Sequence, residues 1–203
     1  MKKVLLVVVG MLGMASCYGQ FGVKGGLNLA NFGSDAENNQ MRPALHLGVS
    51  YELSLAQKFS VYPELQYSLQ GANAEDSEFA FDQSVAYINL MMPLSYNIGE
   101  KLSINAGPYL GMLVGAQAKS DGGDIDNKDL FKSTDFGLTL GGTFKINSAF
   151  GIGLHYLMGL ADITDDGEGT ETVVIDGFPV EVEQESQNIT NRVIQLSLSY
   201  RLN

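Results

Sequence analysis

Apolar residues occupy every second position over long stretches of this chain. In ALHLGVSYELSLA, residues 44–56, the apolar row is Leu45, Leu47, Val49, Tyr51, Leu53 and Leu55, with His46, Gly48, Ser50, Glu52 and Ser54 between them. Side chains along a strand alternate faces with a period of two, so this spacing predicts a strand with one greasy face. The same pattern predicts strands over 21–32, 43–56, 59–70, 84–98, 101–118, 134–146, 149–161 and 190–202. Strands of about twelve residues are long for a soluble sheet, where five or six is typical, but suit a tilted strand crossing a bilayer.

The connections alternate in length. Tight turns fall around Gln57-Lys58, Gly99-Glu100-Lys101 and Asn147-Ser148-Ala149, and long loops over 33–42, 71–83, 119–133 and 162–189. An even strand count, with short turns at one end and long loops at the other, is the pattern of an outer-membrane barrel. Charge follows the same polarity, since nineteen of the 23 acidic residues lie in the four long loops. The fold expected is all-β: an eight-stranded antiparallel up-and-down transmembrane β-barrel.

Alternation alone also fits a soluble or lipid-anchored carrier with the greasy face turned inward. The polar face separates the two. A solvent-exposed face is normally rich in Lys, Glu and Asp. Here it is mostly Gly, Ser, Asn, Thr and Gln; the fifth strand offers Ser103, Asn105, Gly107, Tyr109, Gly111, Leu113, Gly115 and Gln117. Such residues fit a narrow interior, so the greasy rows are expected to meet outer-membrane lipid. The chain has no Trp, and its nine Tyr are the expected interfacial anchors.

The amino terminus refines the compartment. Lys2 and Lys3 precede an eleven-residue apolar run, Val4 to Met14, too short to span a bilayer as a helix. Residues 1–19 are expected to be a signal peptide, leaving 20–203 as the barrel domain. Met14-Ala15-Ser16-Cys17 also resembles a lipobox, so acylation of Cys17 is the alternative. Cys17 is the single cysteine, which leaves the mature chain without a disulfide framework. The net charge of −11 becomes two units more negative once Lys2 and Lys3 are removed, arguing against nucleic acid as a partner.

Five segments carry a family resemblance: FGVKGGLNLANF, YINLMMPLSYNI, LSINAGPYLGMLV, DFGLTLGGTF and the closing IQLSLSYRLN. Together they resemble the small outer-membrane β-barrel family of Bacteroidota, often labelled PorT-like or porin-family proteins, across residues 21–203. The resemblance implies an eight-stranded barrel in the bacterial outer membrane and transfers no activity. The carboxyl terminus departs from a common barrel pattern, since Tyr200 is followed by Arg201, Leu202 and Asn203 rather than ending on an aromatic residue.

Candidate chemistry is sparse. Lys24, Lys145 and Arg201 face Glu52, Glu64 and Asp135 across the expected lumen, all but Asp135 in the short-turn half. Opposite charges there can satisfy one another, whereas an unpaired one is costly. The expectation is a polar plug of paired charges, with an ion path as the alternative. His46 and His155 point inward and are expected to be hydrogen-bonded rather than metal ligands. DGGDIDNKD, residues 121–129, fails the calcium-loop pattern, because Lys128 takes the fifth place from Asp124 and the sixth lacks Gly. Asp176-Gly177, between apolar runs 173–175 and 178–182, predicts a hairpin in the last long loop.

No nucleophile elbow or phosphate loop occurs, so no enzyme, no cofactor and no metal are expected. The role expected is structural, or docking of a protein partner through acidic loops facing outside. A narrow porin-like channel for ions or small solutes is the second reading.

Overall fold

The computed structural model describes residues 19–33, 40–74, 81–120, 123–165, 170–175, 178–183 and 188–202. The expected signal peptide as far as residue 18, Cys17 included, residues 121–122 of the acidic loop, and Asp176-Gly177 of the expected hairpin lie outside these.

The strands, in chain order, are β1 (Gly19–Gly33), β2 (Gln40–Ala56), β3 (Phe59–Val61), β4 (Glu64–Ala74), β5 (Phe81–Met91), β6 (Leu94–Ile98), β7 (Leu102–Ser120), β8 (Gly123–Asp126), β9 (Thr134–Lys145), β10 (Phe150–Gly159), β11 (Thr170–Ile175), β12 (Phe178–Glu183) and β13 (Thr190–Arg201). Eight of them form a ring in the order β1, β13, β10, β9, β7, β5, β4, β2, and β2 pairs with β1 to close it. Every pairing is antiparallel, and all join ring strands consecutive along the chain except β1 with β13, which brings the first strand against the last. Closure leaves the ring without a free edge, which a bilayer requires.

Two of the eight walls are each built from two segments, β3 with β4 and β5 with β6. The breaks fall at Tyr62-Pro63 and Met92-Pro93, where proline has no N–H to give the ladder. The wall holds because the proline carbonyls still accept: Tyr62 N donates to Pro93 O, and Met92 N to Pro108 O, both at 3.0 Å. Among the tight turns, Gly99 has φ of 70°, a left-handed conformation that glycine adopts without a Cβ penalty.

Burial is inverted relative to a soluble protein. Leu45, Leu47, Val49, Leu138, Leu140, Leu154 and Leu196 are exposed, Leu47 by 68 %, while Asn28, Gln66, Ser68, Asn89 and Gln195 are fully buried. The greasy rows therefore lie outside and the polar rows inside. That arrangement removes the soluble carrier, whose apolar cavity would need those rows turned inward. On the outer wall near the short turns, Phe21–Tyr51, Phe59–Tyr96 and Phe150–Tyr200 are tilted ring pairs with centroids 4.7, 5.1 and 5.0 Å apart. They form an aromatic belt at that end.

The strands overrun their expected ends on the long-loop side. Gln40 pairs with Asn73, Ala74 with Phe81, and Asp82 with Lys119. Apolar alternation stops where lipid stops, but the hydrogen-bonded ladder continues into water. β8 folds back on β7 beyond the ring, and β11 and β12 pair as a separate ribbon in the register Ile175 to Phe178.

Candidate functional site

The lumen is divided along its axis. Toward the short turns it opens as a polar vestibule of about 110 Å³, lined among others by Lys24, Glu52, Glu64, Lys145, His155 and Arg201. A space of this size holds several waters. Glycine makes one crossing possible: Lys24 on β1 pairs with Gly48 on β2, and with no side chain between, Lys24 reaches β4. There its Nζ lies 2.9 Å from both oxygens of Glu64. Arg201 closes the mouth with a 2.6 Å contact to Glu52. Lys145 lines the vestibule and forms no ion pair among the described residues.

A hydrogen-bonded layer sits on these pairs. Glu64 accepts from Gln66 Nε2 at 3.0 Å, and Gln195 Nε2 donates to Gln66 Oε1 at 2.9 Å. His46 Nδ1 is 2.7 Å from Asn28 Oδ1 and its Nε2 is 2.9 Å from Ser197 Oγ. Asn28 in turn donates to Ser68 Oγ and to the Leu69 carbonyl. Asn105 Nδ2 lies 3.1 Å from His155 Nε2. His46 is thus tied at both nitrogens, to an amide and a hydroxyl, while His155 is tied at Nε2 to an amide and its Nδ1 is buried without a partner. No group of three His, Cys, Asp or Glu suited to a metal occurs among the described residues.

Above this layer the lumen becomes apolar. Ala30, Met91, Tyr109, Leu157 and Val193 pack together inside the ring. Val85, Tyr87, Leu113 and Ala116 form a second layer, with Phe32 and Phe131 against it. Asp135 lies among these residues, 1 % exposed, and forms no ion pair among the described residues. Its Oδ2 accepts from Tyr109 Oη at 3.0 Å and from Asn191 Nδ2 at 2.9 Å. Of the six charges singled out from the sequence, four are brought together in two pairs, and Asp135 and Lys145 are not.

The plug was hidden by the alternation itself. Its residues sit on the inward parity, where the polar row was expected. The signal was present as broken alternation: Tyr156, Leu157 and Met158 are apolar in succession, as are Leu90, Met91 and Met92. Arg42 with Asp82 was also missed, an ion pair at the long-loop end of the lumen joining β2 to β5.

A folded loop segment covers that end. Asp162 holds it: its Oδ2 accepts from Lys132 Nζ at 2.6 Å, and its Oδ1 from Thr164 Oγ1 at 2.8 Å and from the amides of Thr164 and Ile189 at 3.2 and 3.1 Å. Burial works to raise this carboxyl, but these hydrogen bonds outweigh it and hold it at about 2. Ile163, fully buried, anchors the segment; its amide donates to Ile189 O and its carbonyl accepts from Lys132 N.

A closed antiparallel ring with an apolar belt outside and a polar, charge-paired lumen defines a transmembrane β-barrel. The family model for the outer membrane protein beta-barrel domain matches residues 17–165, and the chain belongs to that family. It is a small barrel protein of the bacterial outer membrane. Among solved structures it is similar to Neisserial surface protein A (NspA), with 11 % identity over 90 % of this chain and 97 % of that one and a TM-score of 0.54. It is also similar to Ail, the attachment invasion locus protein of Yersinia pestis, with 16 % identity, 91 % and 99 % coverage and a TM-score of 0.48. OprG from Pseudomonas aeruginosa gives 11 % identity, 92 % and 97 % coverage and a TM-score of 0.49. At 11 % identity the likeness to NspA is one of fold. No curated protein matches the chain.

Proposed function

We propose that this chain is a non-conducting, non-enzymatic barrel that presents acidic loops outside the cell, where they dock a protein partner. The observation that carries the reading is the double apolar layer inside the ring, Ala30, Met91, Tyr109, Leu157 and Val193 below Val85, Tyr87, Leu113 and Ala116. An eight-stranded barrel is only wide enough for side chains to fill. The interior then contributes rigidity, and recognition falls to the loops. Nine acidic residues between Asp162 and Glu185 favour a partner with a basic face. The export signal over 1–19 and the motifs shared with the PorT-like barrels of Bacteroidota are consistent with this role.

The second reading is a narrow channel, favoured by the vestibule at the short-turn end, which is large enough for several waters. Planar-bilayer recording separates the two. Silence of the purified barrel supports the plugged reading, and steady unitary conductance replaces it with transport. A tag placed in residues 162–189 and cleaved by protease on intact cells supports the outward orientation; protection overturns it.

A further inference from the structure

The vestibule at the short-turn end carries one more positive charge than its carboxylates neutralise. Lys24, Lys145 and Arg201 line it against Glu52 and Glu64. Both oxygens of Glu64 lie 2.9 Å from Lys24 Nζ, and Glu52 accepts from Arg201 and from Ser60 Oγ. Both carboxylates are therefore occupied. Lys145 is half-buried, and its ammonium has no ion pair among the described residues.

A second donor lies deeper in the same cavity. The two amide N–H groups of the Asn105 side chain go to Thr143 Oγ1 at 2.9 Å and to His155 Nε2 at 3.1 Å. With Nε2 accepting, the neutral ring carries its proton on Nδ1. That N–H has no partner among the described residues, on a side chain that is 8 % exposed. The ring leans back along β10 toward the short turns, since a methyl group on Gly153 would stand 3.2 Å from Nδ1. Gly151 pairs with Lys145, and Gly153 is the next inward position on β10. Both glycines line the vestibule, so no side chain of β10 stands between Lys145 and His155. The space they border is a cavity of about 110 Å³.

We propose that the vestibule binds a small monovalent carboxylate, of the size of acetate, with one oxygen on the Lys145 ammonium and the other on His155 Nδ1–H. A cation finds no carboxylate there without a partner. A dianion exceeds the one uncompensated positive charge and is repelled by Glu52 and Glu64. A halide is a single point, whereas a carboxylate brings one oxygen to each donor. Water can fill the cavity but supplies no charge opposite Lys145. Hydrogen bonds in which a partner is ionised are the stronger kind, and here both the ammonium and the ligand are. The site lies at the end away from the long loops, and it stands whatever the loops bind and whether or not the lumen conducts.

The test uses the whole barrel in detergent micelles, with acetate labelled with carbon-13 at the carboxyl as the probe. Acetate is titrated at an ionic strength held constant with sodium chloride. The expected result is saturable broadening of the carboxyl line. Its apparent affinity should fall about tenfold in Lys145→Gln, the scale of one hydrogen bond to a charged group. Lys101→Gln removes an exposed charge at a short turn outside the cavity and should leave the affinity unchanged. Absence of saturable broadening overturns the site. Equal affinity in Lys145→Gln also overturns it, because the anion is then held elsewhere. A second measurement needs no variant: reductive methylation of the unmodified barrel, read by mass spectrometry of its peptides. Acetate should slow modification of Lys145 relative to matched chloride and leave Lys101 as it was. Equal rates at Lys145 in the two salts overturn the proposal.

Discussion

Lys24 and Glu64 belong to strands that are not neighbours in the ring, yet the lysine Nζ lies 2.9 Å from both carboxylate oxygens. The strand between them places Gly48 at the crossing point. Both side chains are nearly buried, at 10 % and 6 % exposure. The pair ties three strands into one unit, and its charges cannot be separated cheaply.

Removing one partner should therefore harm the barrel more than removing both. Glu64→Gln leaves the Lys24 charge without its counter-ion, at an expected cost of about 3–5 kcal/mol. Lys24→Gln combined with Glu64→Gln should recover most of that loss, since an amide pair like the adjacent Gln66–Gln195 can replace it. Urea unfolding in lipid vesicles measures both; equal destabilisation of single and double variants would contradict the coupling.

The lipid face should show a dependence on depth. Leu47, 68 % exposed, lies midway along β2, and Leu55 lies near the short turns. Leu47→Arg should cost about 2–4 kcal/mol, and Leu55→Arg about 0–1 kcal/mol, because a charge near the interface reaches water. Unfolding titrations of the two variants in one lipid check the ordering.

The loop segment should loosen in acid. Asp162 is held at about 2, below the ordinary 3.8, so its hydrogen bonds add stability that is fully present above about pH 4. That contribution is lost as pH falls through 2. Amide hydrogen exchange at Thr164 and Ile189 should accelerate over this window, while Leu196 in β13 stays protected. Asp162→Asn should exchange faster at neutral pH and show no further change across it.

The plug should be removable. Met91→Gly with Leu157→Gly empties much of the apolar layer, and planar-bilayer recording should then register openings absent from the unmodified protein. Continued silence of a folded double variant would assign the block to the second layer of Val85, Tyr87, Leu113 and Ala116 or to the loop segment around Ile163.

How much of this was legible in the sequence depended on whether the physics was local. The strands were, because alternation is a property of each strand alone, and the tight turns at 57–58, 99–101 and 147–149 followed from where it paused. The walls running past the last apolar residue were not, since the pairs Gln40–Asn73 and Ala74–Phe81 are held by backbone rather than side-chain character. Asp135 could be placed inward and away from the other charges, but its partners Tyr109 and Asn191 lie 26 and 56 residues away along the chain.

By itself, then, the sequence determined that the chain forms eight long strands with one lipid-compatible face, because lipid exposure imposes a period of two on every strand separately. The closure of the ring decided which inward side chains meet. Lys24 found Glu64 across Gly48, Asp135 was left among Tyr109, Asn191 and Asn89, and Leu157 and Met91 became a plug. Those contacts depend on register and shear between strands far apart in the chain, and only the closed barrel sets them.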